Sequence, residues 1–196
     1  LVLGLAVFTI LTTWRRGRDL VLRQLKHGGL ALAPFIANIT EHPPTRVEGT
    51  AIFLVSDPDA GPHAGLHNLK HNKVLHQRNV ILTVDTLETP YADFDERVAL
   101  KGLGHDFYLL KLRFGFADDP NVPAALHVCA KQGLDIKMMD TTFFLSRETI
   151  VATDRPGMVL WRDKLFAFLA RNAMPATAFF SIPGNRLIEL GAQVEI

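Results

Sequence analysis

The chain opens on thirteen uncharged, mostly apolar residues, LVLGLAVFTILTT, and then turns abruptly to WRRGR. No other feature restricts the fold as much, because a helix that is apolar on every side must be surrounded by protein or by lipid. A full span needs about twenty apolar residues, so this run is too short to cross a bilayer by itself. It also lacks the basic leader and the small-residue cleavage site of a secretory signal. The pattern fits the second half of a transmembrane helix. Trp14 stands where an interfacial aromatic belongs, and Arg15, Arg16 and Arg18 form a basic stop that the positive-inside rule assigns to the cytoplasm. Beginning mid-helix on Leu1, the chain is expected to be part of a longer protein. The competing reading is a buried helix of a soluble domain.

Charge supports an uneven molecule. Residues 1–28 carry five basic side chains against one acid, a net of +4, whereas the remainder holds 16 basic against 19 acidic, a net of −3. Positive charge confined to one end does not suggest nucleic acid. The single cysteine, Cys129, excludes an internal disulfide framework and any zinc site built on several thiolates.

Beyond the arginines, Leu20, Leu22 and Leu25, then Leu30 and Leu32, interleave with charges, as in an amphipathic helix at a membrane surface. Gly28-Gly29 and Pro34 predict breaks, and EHPPT (Glu41–Thr45) marks a linker. The expected organisation is therefore residues 1–14 as the end of a membrane helix, 15–41 as a basic juxtamembrane segment, and 42–196 as an α/β domain. Within that domain RVEGTAIFLV, NVILTVDT and TTFFLSRETIV read as strands, the second apolar enough to be covered on both faces. ERVALKGLG and DFYLLKLRFG form a hairpin about Gly104-His105. DDPNVPAALHVCAKQG is a helix, with Leu126, Cys129 and Ala130 on one face. MVLWRDKLFAFLARNA is an amphipathic helix whose apolar face carries Leu160, Trp161, Leu165, Phe168 and Leu169. ATAFFSIP predicts a short helix, and NRLIELGAQVEI closes as a strand or hairpin. Strands alternating with helices predict an α/β fold with a mixed sheet of about five to seven strands.

Four of the eight histidines fall within fourteen residues, from His63 to His76, and most of them lie in HNLKHNKVLHQRN. His67 and His71, four apart on one helical face, would bind zinc given a third ligand. Lys70 and Lys73 beside them disfavour a dication, and no carboxylate follows until Asp85. A phosphate or nucleotide suits Lys, His and Asn better. The favoured reading is structural: Asn and His side chains cap the helix and satisfy backbone groups of the connection. As a candidate regulatory or interdomain contact the block contributes His67, Asn68, Lys70, His71 and Asn72. Arg171-Asn172 and the RFGF turn (Arg113–Phe116) read the same way, as polar groups closing helix and strand ends. The sequence has no phosphate loop, no dinucleotide fingerprint, no HExxH and no GxSxG elbow, so it gives no support for an enzyme, a metal site or a cofactor.

RVEGTAIFLVSDPD, LHNLKHNKVLHQRNVILTV, LRFGFADDPNVPAAL, FFLSRETIV, LWRDKLFAFLARNA and IPGNRLIELGAQVEI resemble, in order and spacing, blocks of the bacterial Kup potassium uptake proteins. TTWRRGR resembles that family's junction between its last membrane helix and its cytoplasmic tail. Glu48, Gly65 and Ala117-Asp118 depart from the family pattern. The resemblance implies a multi-pass inner-membrane parent that carries K+ together with H+ by symport, with residues after about 14 in the cytoplasm. The ion-binding residues would then lie upstream of Leu1. It further implies an assembly or regulatory role for this part, contact with the lipid bilayer, a candidate homodimer, and a candidate regulatory nucleotide such as cyclic di-AMP. The alternative is a free-standing nucleotide-binding domain of the universal-stress type.

Overall fold

The computed structural model describes residues 1–28, 30–93, 96–153 and 157–196, with 26–28 followed as backbone alone. Contacts divide the chain into two compact units. One comprises Leu1–Gly29, Arg147–Met174 and Gly191–Ile196, the other Leu30–Ser146 and Pro175–Leu190.

Strands β1 (Thr45–Leu54), β2 (Val74–Leu87), β3 (Val98–Gly104), β4 (Phe107–Gly115), β5 (Thr141–Val151) and β6 (Leu187–Glu195) form one sheet, in the order β3-β4-β2-β1-β5-β6. β1 runs parallel to both β2 and β5, and β2 parallel to β4, while β3 and β4 form the antiparallel hairpin. The fold is thus α/β with a mixed sheet, as the alternation of strand and helix patterns predicts.

In the larger unit the apolar strand residues alternate between two cores. Ile52, Val80, Leu82, Leu110, Leu112 and Phe143 pack on one face with helix α4 (Val122–Cys129) through Val122, Ala125, Leu126 and Cys129. Ala51, Phe53, Ile81, Phe107 and Phe144 pack on the other with α2 (Leu32–Glu41), which contributes Leu32, Phe35 and Ile39, and with α3 (His63–Asn72). Both faces are covered, which is why NVILTV reads as an unbroken apolar run. Gly49 permits a bulge in β1, between Val47 and Thr50: its φ is +96°, and a Cβ there would sit 2.6 Å from the carbonyl oxygen of Asp140. The short helix α6 (Ala176–Phe179) follows the ATAFFSIP expectation.

In the smaller unit α1 (Val2–Gly28) is one continuous helix, and α5 (Leu160–Arg171) packs on it. Val21, Phe166, Val194 and Ile196 form its core, with Leu20, Leu25, Ile150, Met158 and Ala170 around them. Of the break expected at Gly28-Gly29, Gly29 lies outside the described residues. Among the described residues no helix is long and apolar enough to cross a membrane.

Three details differ from the sequence reading. The histidine-rich block is not one helix: α3 ends at Asn72 and β2 begins at Val74, five residues earlier than expected, because Lys73 takes a left-handed turn (φ 60°) that stops the helix. Ala130 is exposed, since the chain tightens into a single turn at Ala130–Gln132 before Gly133. And α5 does not bury its expected stripe: Asp163 and Phe166 are the residues packed inward, while Trp161 and Phe168 are exposed.

Candidate functional site

The histidine-rich block is a helix-to-strand turn. In α3, Asn68 is buried; its side-chain amide donates to the carbonyl of Val74 at 3.0 Å, and its Oδ1 accepts from the Asn72 amide at 2.8 Å. The Lys73 N–H closes the helix on the Leu69 carbonyl at 3.1 Å. These bonds satisfy backbone groups at the helix end and tie it to the first residue of β2. His67, Lys70, His71 and Asn72 are all exposed. The rings of His67 and His71 stack with centroids 5.7 Å apart. Among the described residues no three His, Cys, Asp or Glu side chains are grouped to hold a metal ion. Beside the helix, His42, Pro44, Leu66, Leu69, Lys70 and Lys73 line an open groove of about 450 Å³, apolar at its floor and cationic at its rim.

The connection continues inward through β2. His76 is half-buried with its ring edge-on to Phe144, and burial holds its pKa below the usual imidazole value. Its carbonyl accepts from Arg46 at 2.9 Å and from the buried Asn79 amide at 2.8 Å. Arg46 and Asn79 were not singled out by sequence; an Arg at the second residue of β1 and an Asn directly before the apolar run of β2 were the available signal.

At the far end of the hairpin, Asp118 collects the RFGF turn. Its carboxylate accepts from the backbone N–H of Gly115 at 2.7 Å and of Ala92 at 2.9 Å, and from the Arg97 guanidinium at 3.1 Å. Those two N–H groups, then Arg97, hold its pKa below the usual carboxylate value. Arg97 also lies over the Phe114 ring at 5.5 Å. Arg113 donates to the Glu96 carbonyl at 3.4 Å, and Asn172 closes α5 on the Phe168 carbonyl at 2.8 Å. These groups finish strand and helix ends. Burial pushes the Cys129 thiol up to about 11, so it is an inert core group.

On α1, Thr13, Gly17 and Val21 form a buried stripe at intervals of four, while Trp14, Arg15, Arg16 and Arg18 are exposed. Arg162 of α5 donates to the Thr13 hydroxyl at 2.9 Å and to Thr12 at 3.2 Å, and the Trp14 ring meets Phe166 at 5.6 Å. Above this contact the helix has no protein around it: from Leu1 to Leu11 every residue is exposed except half-buried Thr9. The Thr9 and Thr12 hydroxyls donate to the carbonyls of Leu5 and Phe8, both at 2.8 Å, and so satisfy themselves within the helix.

These features define a mixed-sheet α/β domain whose polar clusters close turns, joined in sequence to an apolar helix with a basic collar. Its family follows from comparison. The family model described as the K+ potassium transporter C-terminal domain matches residues 48–196, and the chain belongs to that family. Over 197 residues it is 55% identical to a probable potassium transport system protein Kup of Xanthomonas campestris pv. campestris (strain 8004), covering all of this chain and 31% of the relative. It is 51% identical over 196 residues to Kup 2 of Chromobacterium violaceum, covering 32% of it, and 52% identical over 198 residues to Kup of Xylella fastidiosa (strain 9a5c), covering 31%. The chain therefore spans about a third of the length of these relatives. No solved structure matches it. The family is a transporter domain and not an enzyme family, and the universal-stress alternative gains no support from these relatives.

Proposed function

We propose that this chain is the cytoplasmic C-terminal module of a multi-pass bacterial inner-membrane potassium transporter, together with the end of its last membrane helix. In this reading residues 1–14 lie in the bilayer, 15–31 form a basic juxtamembrane segment and 32–196 form the cytoplasmic domain, whose sheet α2 packs on through Leu32, Phe35 and Ile39. The parent couples K+ to H+, its ion path lies in the part of the protein upstream of Leu1, and this module serves assembly, as a homodimer contact, or gating. The names of the relatives support K+ as the transported ion.

One observation carries the membrane assignment: from Leu1 to Leu11 the chain is apolar but for Thr9 and exposed but for that same half-buried Thr9, and the run ends at Trp14 and three exposed arginines. Water does not tolerate such a surface, and lipid does. The test is cysteine labelling in the intact transporter in inverted membrane vesicles, with Cys129→Ser as background. A water-soluble maleimide should label Arg18→Cys and spare Leu5→Cys and Phe8→Cys; equal labelling of all three would overturn the assignment.

A regulatory ligand or domain contact falls on the exposed face of α3, where His67, Lys70, His71 and Asn72 stand beside the groove, with Asn68 as its internal support. The cationic rim suits an anionic group. Calorimetry with ATP, AMP and cyclic di-AMP should show binding weakened by Lys70→Ala; no heat at saturating nucleotide would remove a nucleotide from this role.

A further inference from the structure

The smaller unit exposes apolar surface out of proportion to its size. Of the 20 large hydrophobic side chains exposed among the described residues, 14 belong to it: nine from Leu1 to Trp14, eight of them on α1, then Val159, Leu160, Trp161, Phe168 and Met174 on or beside α5. Apolar surface concentrated in one unit in this way marks an interaction surface.

The geometry of α5 says what covers it. Trp161, Lys164, Phe168 and Arg171 follow at i, i+3, i+7 and i+10, so they share one face, and all four are exposed. Aromatic rings alternating with cations on one face are the chemistry of a bilayer interface, where rings sit at headgroup level and cations meet lipid phosphates. Arg162, bonded to Thr12 and Thr13, holds the first turn of α5 beside the turn of α1 where the apolar run gives way to Arg15, Arg16 and Arg18. The exposed side chains of Val159, Leu160 and Trp161 are thus fixed near the boundary level of α1.

We propose that the start of α5, Val159–Leu160–Trp161, is a second membrane contact lying in the headgroup layer beside α1, with Lys164, one turn farther on, turned toward anionic lipid phosphates. This rests on the reading of α1 as the end of a membrane helix. Two attachment points resist rotation of this unit about the α1 axis, which a single helix would leave free. Insertion is shallow, about 5–10 Å into the headgroup and acyl boundary.

The test uses the full chain in vesicles of phosphatidylcholine with a minority of phosphatidylglycerol, doped with lipid spin-labelled near the headgroup or deep in the acyl chain. Trp14→Phe leaves Trp161 as the only tryptophan. Its fluorescence should be quenched more by the shallow label than by the deep one and be protected from iodide. A Phe8→Trp reporter, in a Trp14→Phe/Trp161→Phe background, should be quenched by the deep label. Quenching of the Phe8→Trp reporter with Trp161 still open to iodide overturns the proposal and leaves the α1 reading intact. No quenching at either position overturns both. Trp161 shielded from iodide and from both lipid labels shows that a second copy or another protein covers the face, and overturns the proposal. Lys164→Glu should reduce shallow quenching of Trp161 only when phosphatidylglycerol is present, with the Phe8→Trp signal unchanged, whereas Arg171→Glu, about 15 Å along the helix from Trp161, should leave it as it was; indifference to Lys164→Glu removes the phosphate contact.

Discussion

The ring of Phe166 occupies the space in which a side chain at Gly17 would begin: a Cβ built there would overlap the Cγ and both Cδ atoms of the ring. Phe166 is buried to 1% exposure against Val21, Val194 and Ile196, so it has little room to retreat. The glycine in WRRGR is therefore the seat of α5.

Gly17→Ala sets two effects against each other. Alanine gains about 0.8–1.0 kcal/mol of helix propensity, whereas overpacking a filled core costs about 1–3 kcal/mol. With Phe166 enclosed, the second effect dominates, and a net loss of about 1 kcal/mol is expected. Urea denaturation of the full chain in mild detergent measures it by tryptophan fluorescence, because Trp14 and Trp161 both lie in this unit. In a Phe166→Leu background the same substitution should become neutral or stabilising. An equal loss in both backgrounds would show that the ring is not the cause.

Asn68 and Asn72 separate in the same way. Asn68→Ala removes the buried donor to the Val74 carbonyl and frees the exposed Asn72 amide to water, a loss of about 1–3 kcal/mol for a buried hydrogen-bonded group. Asn72→Ala leaves the buried bond in place and should cost less. Asn68→Asp keeps the acceptor for Asn72 but faces the Val74 carbonyl with a carboxylate, so it should resemble Asn68→Ala. Amide exchange at Val74 and Leu75 should quicken in the two Asn68 variants and not in Asn72→Ala; equal protection in all three would show that the turn does not depend on Asn68.

What the sequence reveals depends on whether the deciding interaction is local. The β3–β4 hairpin was legible because Gly104, His105 and Asp106, all at positive φ, sit between two alternating runs. The two-faced sheet was legible in Val80–Leu82, whose unbroken apolarity has few other solutions. The structural reading of HNLKHN agrees with the bonds of Asn68 and Asn72, because a capping side chain reaches only a few residues. The packed face of α5 was not legible. Its leucines and aromatics have helical period, and periodicity identifies a stripe without saying whether protein or another apolar phase meets it. Asp163 is buried with neither oxygen hydrogen-bonded among the described residues, and no local pattern marks it for the inward face. The pairing of Gly17 with Phe166 is hidden for a related reason: each residue is ordinary in its own segment, and only their meeting gives them meaning.

His76 should give the fold a dependence on mild acid. Burial lowers its folded-state pKa from 6.5, so above 6.5 the ring is neutral in both states and contributes no slope. As pH falls through 6.5 the unfolded chain takes up the proton first, and stability declines until pH reaches the folded-state value. His76→Gln should flatten this decline. Urea midpoints of wild type and variant across this range decide it: if His76→Gln keeps the full slope, the buried imidazole is not the source.

Asp118 acts at lower pH and with its own sign. Two backbone N–H groups and Arg97 favour its ionised form, so its folded-state pKa lies below 3.8. The contribution is complete above 3.8 and is lost as pH falls from there through the folded-state value. Asp118→Asn should therefore lower the urea midpoint by a constant amount between about pH 5 and pH 8, where the wild-type carboxylate is fully ionised. The gap between wild type and variant should close on further acidification, because protonation brings the wild type toward the variant's neutral state. Arg97→Lys, which keeps charge but loses the planar grip and the stacking on Phe114, should give a smaller loss with the same pH profile. A gap that persists undiminished well below 3.8 would mean that Asp118 serves the RFGF turn by shape alone and that its charge contributes nothing.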